Sequence, residues 1–143
     1  MARKEKKQRN KGSAGNNRKT GEDFLRQNAT KKGVLETGSG LQYFMVEEKQ
    51  GKKPQLPDEV IIHQRALLLD GKVLEDTYRK NKPERVKLNE MIEGLQEGLQ
   101  MMTEGSRYQF WVPPDLGWGK KGTSNKIPPF AVLFFDIRLL EIT

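Results

Sequence analysis

The 143-residue chain contains no cysteine, which excludes disulfides, thiolate metal sites and cysteine nucleophiles. It has one histidine, His63, so a His-rich metal site is excluded and a Ser-His-Asp triad is disfavoured. No apolar run approaches the roughly 18 residues that a membrane span needs. The chain begins Met1-Ala-Arg-Lys-Glu-Lys-Lys7 and no apolar h-region follows, so the expectation is a soluble cytoplasmic protein without membrane contact. Hydrophobic residues are also scarce, at 34%. Average domains carry roughly 45–50%, so part of the chain is expected to lie outside any core.

What is abundant is positive charge, and it sits in one place. The formal net charge is +7. Residues 1–20 hold eight cations (Arg3, Lys4, Lys6, Lys7, Arg9, Lys11, Arg18 and Lys19) and one acid, Glu5; the remaining residues balance. That segment has no aromatic, Leu, Ile or Val, so it cannot bury enough apolar surface to offset its ordering entropy. Residues 1–19 read as a disordered basic arm. Such an arm either docks weakly on a polyanion such as RNA or the ribosome, by counterion release, or serves only as a solubilising leader. It has no aromatic on which bases could stack.

Along the body, Thr20-Gly-Glu-Asp23 reads as a helix N-cap with a carboxylate three residues on. A short helix should follow, carrying Phe24 and Leu25 and ending near Asn28–Lys32 before Gly33. Strands are expected at 41–46, 60–69, from Val73, at 85–88, at 106–112 and at 131–142, from their period-two patterns. Asp70-Gly71 is a hairpin turn signal. Residues 77–83 read as a polar loop and 115–129 as a long loop rich in Gly and Lys. From Asn89 the period changes. Met91, Leu95, Leu99 and Met102 form one apolar stripe, with Ile92 beside it, on a helix closed by Gly105. Gly94 and Gly98 lower its propensity, so it depends on packing. The sum is an α+β fold: an antiparallel sheet with one amphipathic helix on one face.

Catalytic groups are sparse. His63 lies mid-strand with no Ser or Cys beside it and reads as a sheet histidine. Glu75 and Asp76 are strand neighbours and should face opposite sides, so they do not form a two-carboxylate site. Gly38-Ser-Gly40 and Gly117-Trp-Gly119 lack the spacing of a phosphate loop. The notable feature is apolar: Trp118 in a glycine-flanked loop, then Ile127-Pro-Pro-Phe130 and Phe134-Phe135. It reads either as a loop anchor on a sheet edge or as part of a binding surface.

Four segments resemble one family in one order. They are Leu67-Leu-Leu-Asp-Gly-Lys-Val-Leu-Glu-Asp76, Met91-Ile-Glu-Gly-Leu-Gln-Glu-Gly-Leu-Gln-Met-Met102, Pro113-Pro-Asp-Leu-Gly-Trp-Gly119 and Ile127-Pro-Pro-Phe-Ala-Val-Leu-Phe-Phe-Asp136. Together they resemble the FKBP-type peptidyl-prolyl cis-trans isomerase domain over residues 55–143. Residues 20–54 read as an N-terminal helix and lead-in strand, and within them Glu22–Gln42, with Phe24-Leu25, Asn28 and Ser39-Gly-Leu-Gln42, resembles the lead-in of its bacterial branch. The resemblance implies five or six twisted antiparallel strands wrapped around one helix, with a pocket between helix, sheet and long loops. It implies isomerase activity that assists protein folding on proline-containing or unfolded segments, with no cofactor and no metal. A monomer is expected, because the N-terminal helical segment is short.

By resemblance, the substrate-binding positions are Glu75, Met91, Ile92, Trp118, Ile127 and Phe135. Ile92 offers its backbone N–H, and Trp118 stands where the family has a hydroxyl-bearing Tyr. Five positions depart from the family's aromatic-lined pocket: Gln64, Leu74, Glu84, Val86 and Leu95, the last in place of the Trp that floors it. Each lost aromatic removes about 150–250 Å² of contact surface. The expected pocket is therefore wider and softer, with reduced activity and poor macrolide binding. The alternative is a non-catalytic binding or chaperone module on the same fold.

Overall fold

The computed structural model describes residues 14–123 and 126–143. Seven antiparallel strands form one sheet: β1 (Leu35–Glu36), β2 (Gln42–Glu47), β3 (Glu59–Leu68), β4 (Val73–Asp76), β5 (Glu84–Lys87), β6 (Arg107–Val112) and β7 (Leu133–Ile142). Their spatial order is β1-β2-β6-β7-β3-β4, and β5 pairs with the first half of β3 beside β4. The helices are α1 (Ala14–Asn28), α2 (Thr77–Lys80) and α3 (Glu93–Met101).

The alternation seen in the sequence is the alternation of faces. Tyr108, Phe110 and Val112 of β6 and Leu133, Phe135, Ile137 and Leu139 of β7 are buried on the inner face. Val60, Ile62, Ala66 and Leu68 of β3 join them. Leu95, Leu99 and the following Met102 close the core from α3. Register shifts interrupt β3 against both β7 and β4, and such bulges bend a strand and increase its twist. Asp70-Gly71 makes the expected hairpin turn. Gly71 has φ +93°, and its N–H donates to the Leu68 carbonyl at 3.0 Å.

Helix α3 lies close against β6 because two of its residues lack side chains. A Cβ at Gly94 would come within 2.6 Å of Val112 Cγ1, and one at Gly98 within 2.6 Å of Phe110 Cε1. The low propensity of these glycines is thus the condition for the packing.

The outer face of the sheet carries an ion pair whose carboxylate is buried. Asp136 accepts hydrogen bonds from Arg107 Nε at 2.8 Å and Nη2 at 2.9 Å, from Gln109 Nε2 at 3.2 Å and from the Tyr78 hydroxyl at 3.2 Å. Burial pushes its carboxyl up, but these donors outweigh burial and hold it below the usual carboxylate range. The same burial, with Asp136 beside it, pushes the Tyr78 hydroxyl up to about 12.

Several expectations are corrected. The first helix starts at Ala14 rather than Thr20, so residues 14–19 of the expected arm are helical and Thr20 is no cap. Ion pairs at i,i+4, Arg18–Glu22 and Lys19–Asp23, and contacts with the body hold these turns. The rest of the expected arm, including Arg3, Lys4, Lys6, Lys7, Arg9 and Lys11, lies outside the described residues. The polar loop 77–83 opens with α2, capped by the Asp76 carboxylate accepting from Arg79 N–H at 3.0 Å. Helix α3 is shorter than its apolar stripe: Met91 and Ile92 precede it in extended backbone. The sheet has one more strand than the upper expectation, counting the two-residue β1.

Gly98→Ala should destabilise the fold by about 1–3 kcal/mol, the usual cost of overpacking, since Phe110 is fully buried and has no room to retreat. Urea unfolding of the variant beside the unaltered chain measures this.

Candidate functional site: an apolar hollow at the open end of the sheet

Where α3 and the sheet part, a hollow of about 270 Å³ opens. Leu95 and Leu133, both almost fully buried, form its floor. Phe135 of β7 and Ala66 and Gln64 of β3 form one wall; Leu74 and Glu75 of β4 form the next. Met91 and Ile92, on the turn before α3, stand opposite. The long loop after β6 supplies Ile127 and, at the rim, Trp118, which is 47% exposed.

Each wall has a local cause. The turn before α3 is held from within: Gln96 Nε2 donates to the Met91 carbonyl at 2.7 Å. Ile92 caps the helix without a side-chain bond; its carbonyl accepts from Leu95 and Gln96 N–H. Its own N–H meets no backbone carbonyl among the described residues and is available to a guest at the edge of the hollow. The long loop is folded on itself. Gly119 N–H donates to Pro114 O at 2.8 Å, and Thr123 N–H to Ile127 O at 2.8 Å. Gly122, at φ +65°, passes so close to Ile127 O that no side chain fits there.

Glu75 is anchored at the wall. Its carboxylate pairs with Lys80 Nζ at 2.8 Å and accepts the Asp76 N–H at 2.9 Å. The Lys80 ammonium, helped by that amide, holds the Glu75 carboxyl below the ordinary range. Asp76 turns away to cap α2 and to pair with Arg65 at 3.4 Å, so the two carboxylates do diverge. His63 shares the Thr77 hydroxyl at 2.9 Å and stacks on Tyr78 with ring centroids 4.9 Å apart. Among the described residues no cluster of three or more potential metal ligands exists.

All six substrate-binding positions named from the sequence, Glu75, Met91, Ile92, Trp118, Ile127 and Phe135, line this one hollow. Of the five departing positions, Gln64, Leu74 and Leu95 line it as well. Glu84 and Val86 do not, which corrects the expectation. Glu84 stands behind the wall and accepts from Gln64 Nε2 at 2.7 Å; this is the partner that a half-buried amide requires. Val86 packs on the core and lines a neighbouring hollow of about 390 Å³ that shares Glu90 and Met91. Strand β5 is too short and too far along β3 to place either side chain at the floor. The sequence reading missed Ala66, Glu90 and Leu133. Ala66 and Leu133 lie on the inward face of their strands, so the alternation held them in view without separating pocket from core.

This geometry can now be set beside known proteins. The model of the FKBP-type peptidyl-prolyl cis-trans isomerase family matches residues 50–140. The chain belongs to that family. A second family model, described as the domain amino terminal to FKBP-type peptidyl-prolyl isomerase, matches residues 1–45. The FKBP-type peptidyl-prolyl cis-trans isomerase FkpA of Aeromonas hydrophila is 40% identical over 126 residues, covering 88% of this chain and 47% of that protein. The FKBP-type 22 kDa isomerase of Escherichia coli K12 is 36% identical over 122 residues, covering 85% and 59%. Among solved structures, FkpA from Escherichia coli superposes with a TM-score of 0.86 at 33% identity, covering 91% of this chain and 61% of that one. A peptidyl-prolyl cis-trans isomerase from Pseudomonas syringae gives 0.86 at 25% identity, covering 94% and 98%. The chain thus spans about half the length of the curated FKBP relatives it matches.

The Glu75–Lys80 pair has a pH signature. Because the folded carboxyl lies below its unfolded value, the pair's contribution is present above the unfolded value of about 4.3. It is lost as pH falls through the folded one. Lys80→Met should raise the Glu75 midpoint toward the ordinary range, read by NMR titration of its side-chain carboxyl carbon.

Proposed function

We propose that this hollow receives the prolyl ring of an X–Pro segment and that the chain is a peptidyl-prolyl cis-trans isomerase assisting protein folding. Its guests on this reading are proline-containing stretches of unfolded or partly folded chains. One observation carries the reading: Met91, Ile92, Trp118, Ile127 and Phe135, from three separate parts of the chain, converge over a buried Leu95 floor.

The chemistry needs no acid, base, nucleophile or ion. Partial double-bond character gives the X–Pro bond a barrier of about 18–20 kcal/mol, and uncatalysed exchange takes tens to hundreds of seconds. The planar amide is more polar than the twisted one, so a dry apolar wall disfavours the ground state relative to the transition state. Phe135, Leu133 and Leu95 supply that wall. The Ile92 N–H can hold a substrate carbonyl while the Trp118 indole N–H offers a second donor at the rim. Gln64, tied to Glu84, and the small Leu95 floor leave the ring less tightly gripped than aromatic walls would. Catalysis on this reading is slow.

A protease-coupled assay on proline peptides tests this. The unaltered chain should exceed the spontaneous rate, and Leu95→Trp should raise kcat/KM about tenfold, equivalent to ~1.4 kcal/mol. A rate equal to the spontaneous one across several X–Pro peptides would reject the activity.

We further propose that residues 1–20 add weak, salt-sensitive attraction to polyanions such as RNA. The excess charge supports it, although Arg18 and Lys19 already pair with Glu22 and Asp23. Retention on a homopolymer RNA column should fall steeply between low and moderate salt. Elution independent of salt would remove the reading. We also propose a monomer, because α1 is fastened to its own body near both ends, by Asn17 to the Pro129 carbonyl and by Asn28 to Gln42.

A further inference from the structure

The loop that carries Trp118 and Ile127 is held at its far end by a helix outside the sheet. Phe130, near the end of that loop, has φ +56°, a left-handed conformation that bulky residues seldom adopt. Its N–H donates to the Gly119 carbonyl at 3.0 Å, one residue from Trp118. Helix α1 lies against this point at three positions. Asn17 Nδ2 donates to the Pro129 carbonyl at 3.0 Å. The Arg18 guanidinium stands over the Phe130 ring, 5.4 Å from its centre. Gly21 is buried against Val132, where a Cβ would come within 2.9 Å of Cγ2. At its other end α1 is fastened to β2: Asn28 Nδ2 donates to Gln42 Oε1 at 2.9 Å, and Gln42 Nε2 to the Leu25 carbonyl at 2.9 Å. Both amides are buried. The helix is therefore a bar fixed at one end to the sheet and pressing at the other on the pocket loop.

We infer that α1 is a clamp on the binding loop, and that Asn17 is a positioning residue that sets Trp118 and Ile127 through the Pro129–Phe130 backbone. It touches no guest in the hollow. It acts by keeping Phe130 in its unfavourable conformation, which keeps Gly119 and the Trp118 rim in place. This deepens the isomerase reading and, for its effect on turnover, rests on it. A rim that shifts by about an ångström loses alignment at the transition state more than it loses ground-state binding, so the effect falls on kcat more than on KM.

The test uses Asn17→Asp, which keeps the shape but replaces the donor amide with an acceptor that opposes the Pro129 carbonyl. A carboxylate near the start of α1 also favours the helix dipole, so thermal stability should hold or rise. Lys19→Ala serves as the control, since among the described residues Lys19 pairs with Asp23 on the solvent side. Amide hydrogen exchange at Phe130, acrylamide quenching of Trp118 in a Trp111→Phe background, and kcat and KM on a proline peptide are read together. In Asn17→Asp, Phe130 exchange should quicken about tenfold and Trp118 quenching should increase. The value of kcat should fall about three- to tenfold, the scale of one hydrogen bond, with KM little changed. Unaltered Phe130 exchange and Trp118 quenching would overturn the clamp. So would equal acceleration at Ile137 in the core, which would mean global loosening. If the unaltered chain shows no isomerase activity, the functional reading fails, while exchange and quenching still decide the clamp.

Discussion

Helix α3 can press into the curl of the sheet only where it carries no side chain. Gly94 and Gly98 bring its backbone onto Val112 and Phe110, and every other feature of the interior follows from that closeness. The helix fills the concave face at one end with Leu99 and Met102. At the other end the turn that precedes the helix, with Met91 and Ile92, stands off the sheet, and the space left between them is the hollow. A side chain at either glycine would move the helix outward and shift Met91, Ile92 and Leu95 with it.

The hollow is a product of five separate pieces of chain, and its character is apolar throughout the floor. Two polar side chains of its walls are already committed. Gln64 is bonded to Glu84, and Glu75 to Lys80. This matters for the chemistry, because an unpartnered buried amide or carboxylate would draw water into the site. The Ile92 N–H at the edge meets no backbone carbonyl among the described residues. That arrangement suits a reaction in which a neutral amide loses polarity at the transition state.

The outer face has a different role. There Asp136, Arg107, Gln109 and Tyr78 tie β6, β7 and α2 together in one network, and His63 and Thr77 continue it to β3. Phe135 faces the hollow while its neighbour Asp136 faces this network. The pocket wall is therefore braced from behind by charge-assisted bonds, which are stronger than neutral ones. Helix α1 sits apart from both, joined to the body by its buried Asn28–Gln42 pair and by Asn17 on the loop.

Much of this was legible in the order of residues. The two-residue period of Tyr108, Phe110 and Val112, and of Leu133 to Leu139, names the inner face of β6 and β7, because strand side chains alternate. The resemblance singled out the six lining positions from Glu75 to Phe135. It misplaced Glu84 and Val86, because whether a side chain reaches a cavity depends on how far along β3 the short β5 pairs, which no local pattern encodes. The apolar stripe from Met91 overstated α3, since Met91 and Ile92 are apolar because they line the hollow and pack partly on the core, not because they are helical. Helix α1 was read too short for a like reason: Ala14–Lys19 has weak propensity, and its turns are held by Pro129, Phe130 and i,i+4 ion pairs. Composition and periodicity alone determined a cysteine-free α+β chain with its charge gathered at one end, since those properties are local. Only the tertiary structure decided where the hollow lies, which polar groups are satisfied around it and what holds its loop, because each of those depends on contacts between residues far apart in the chain.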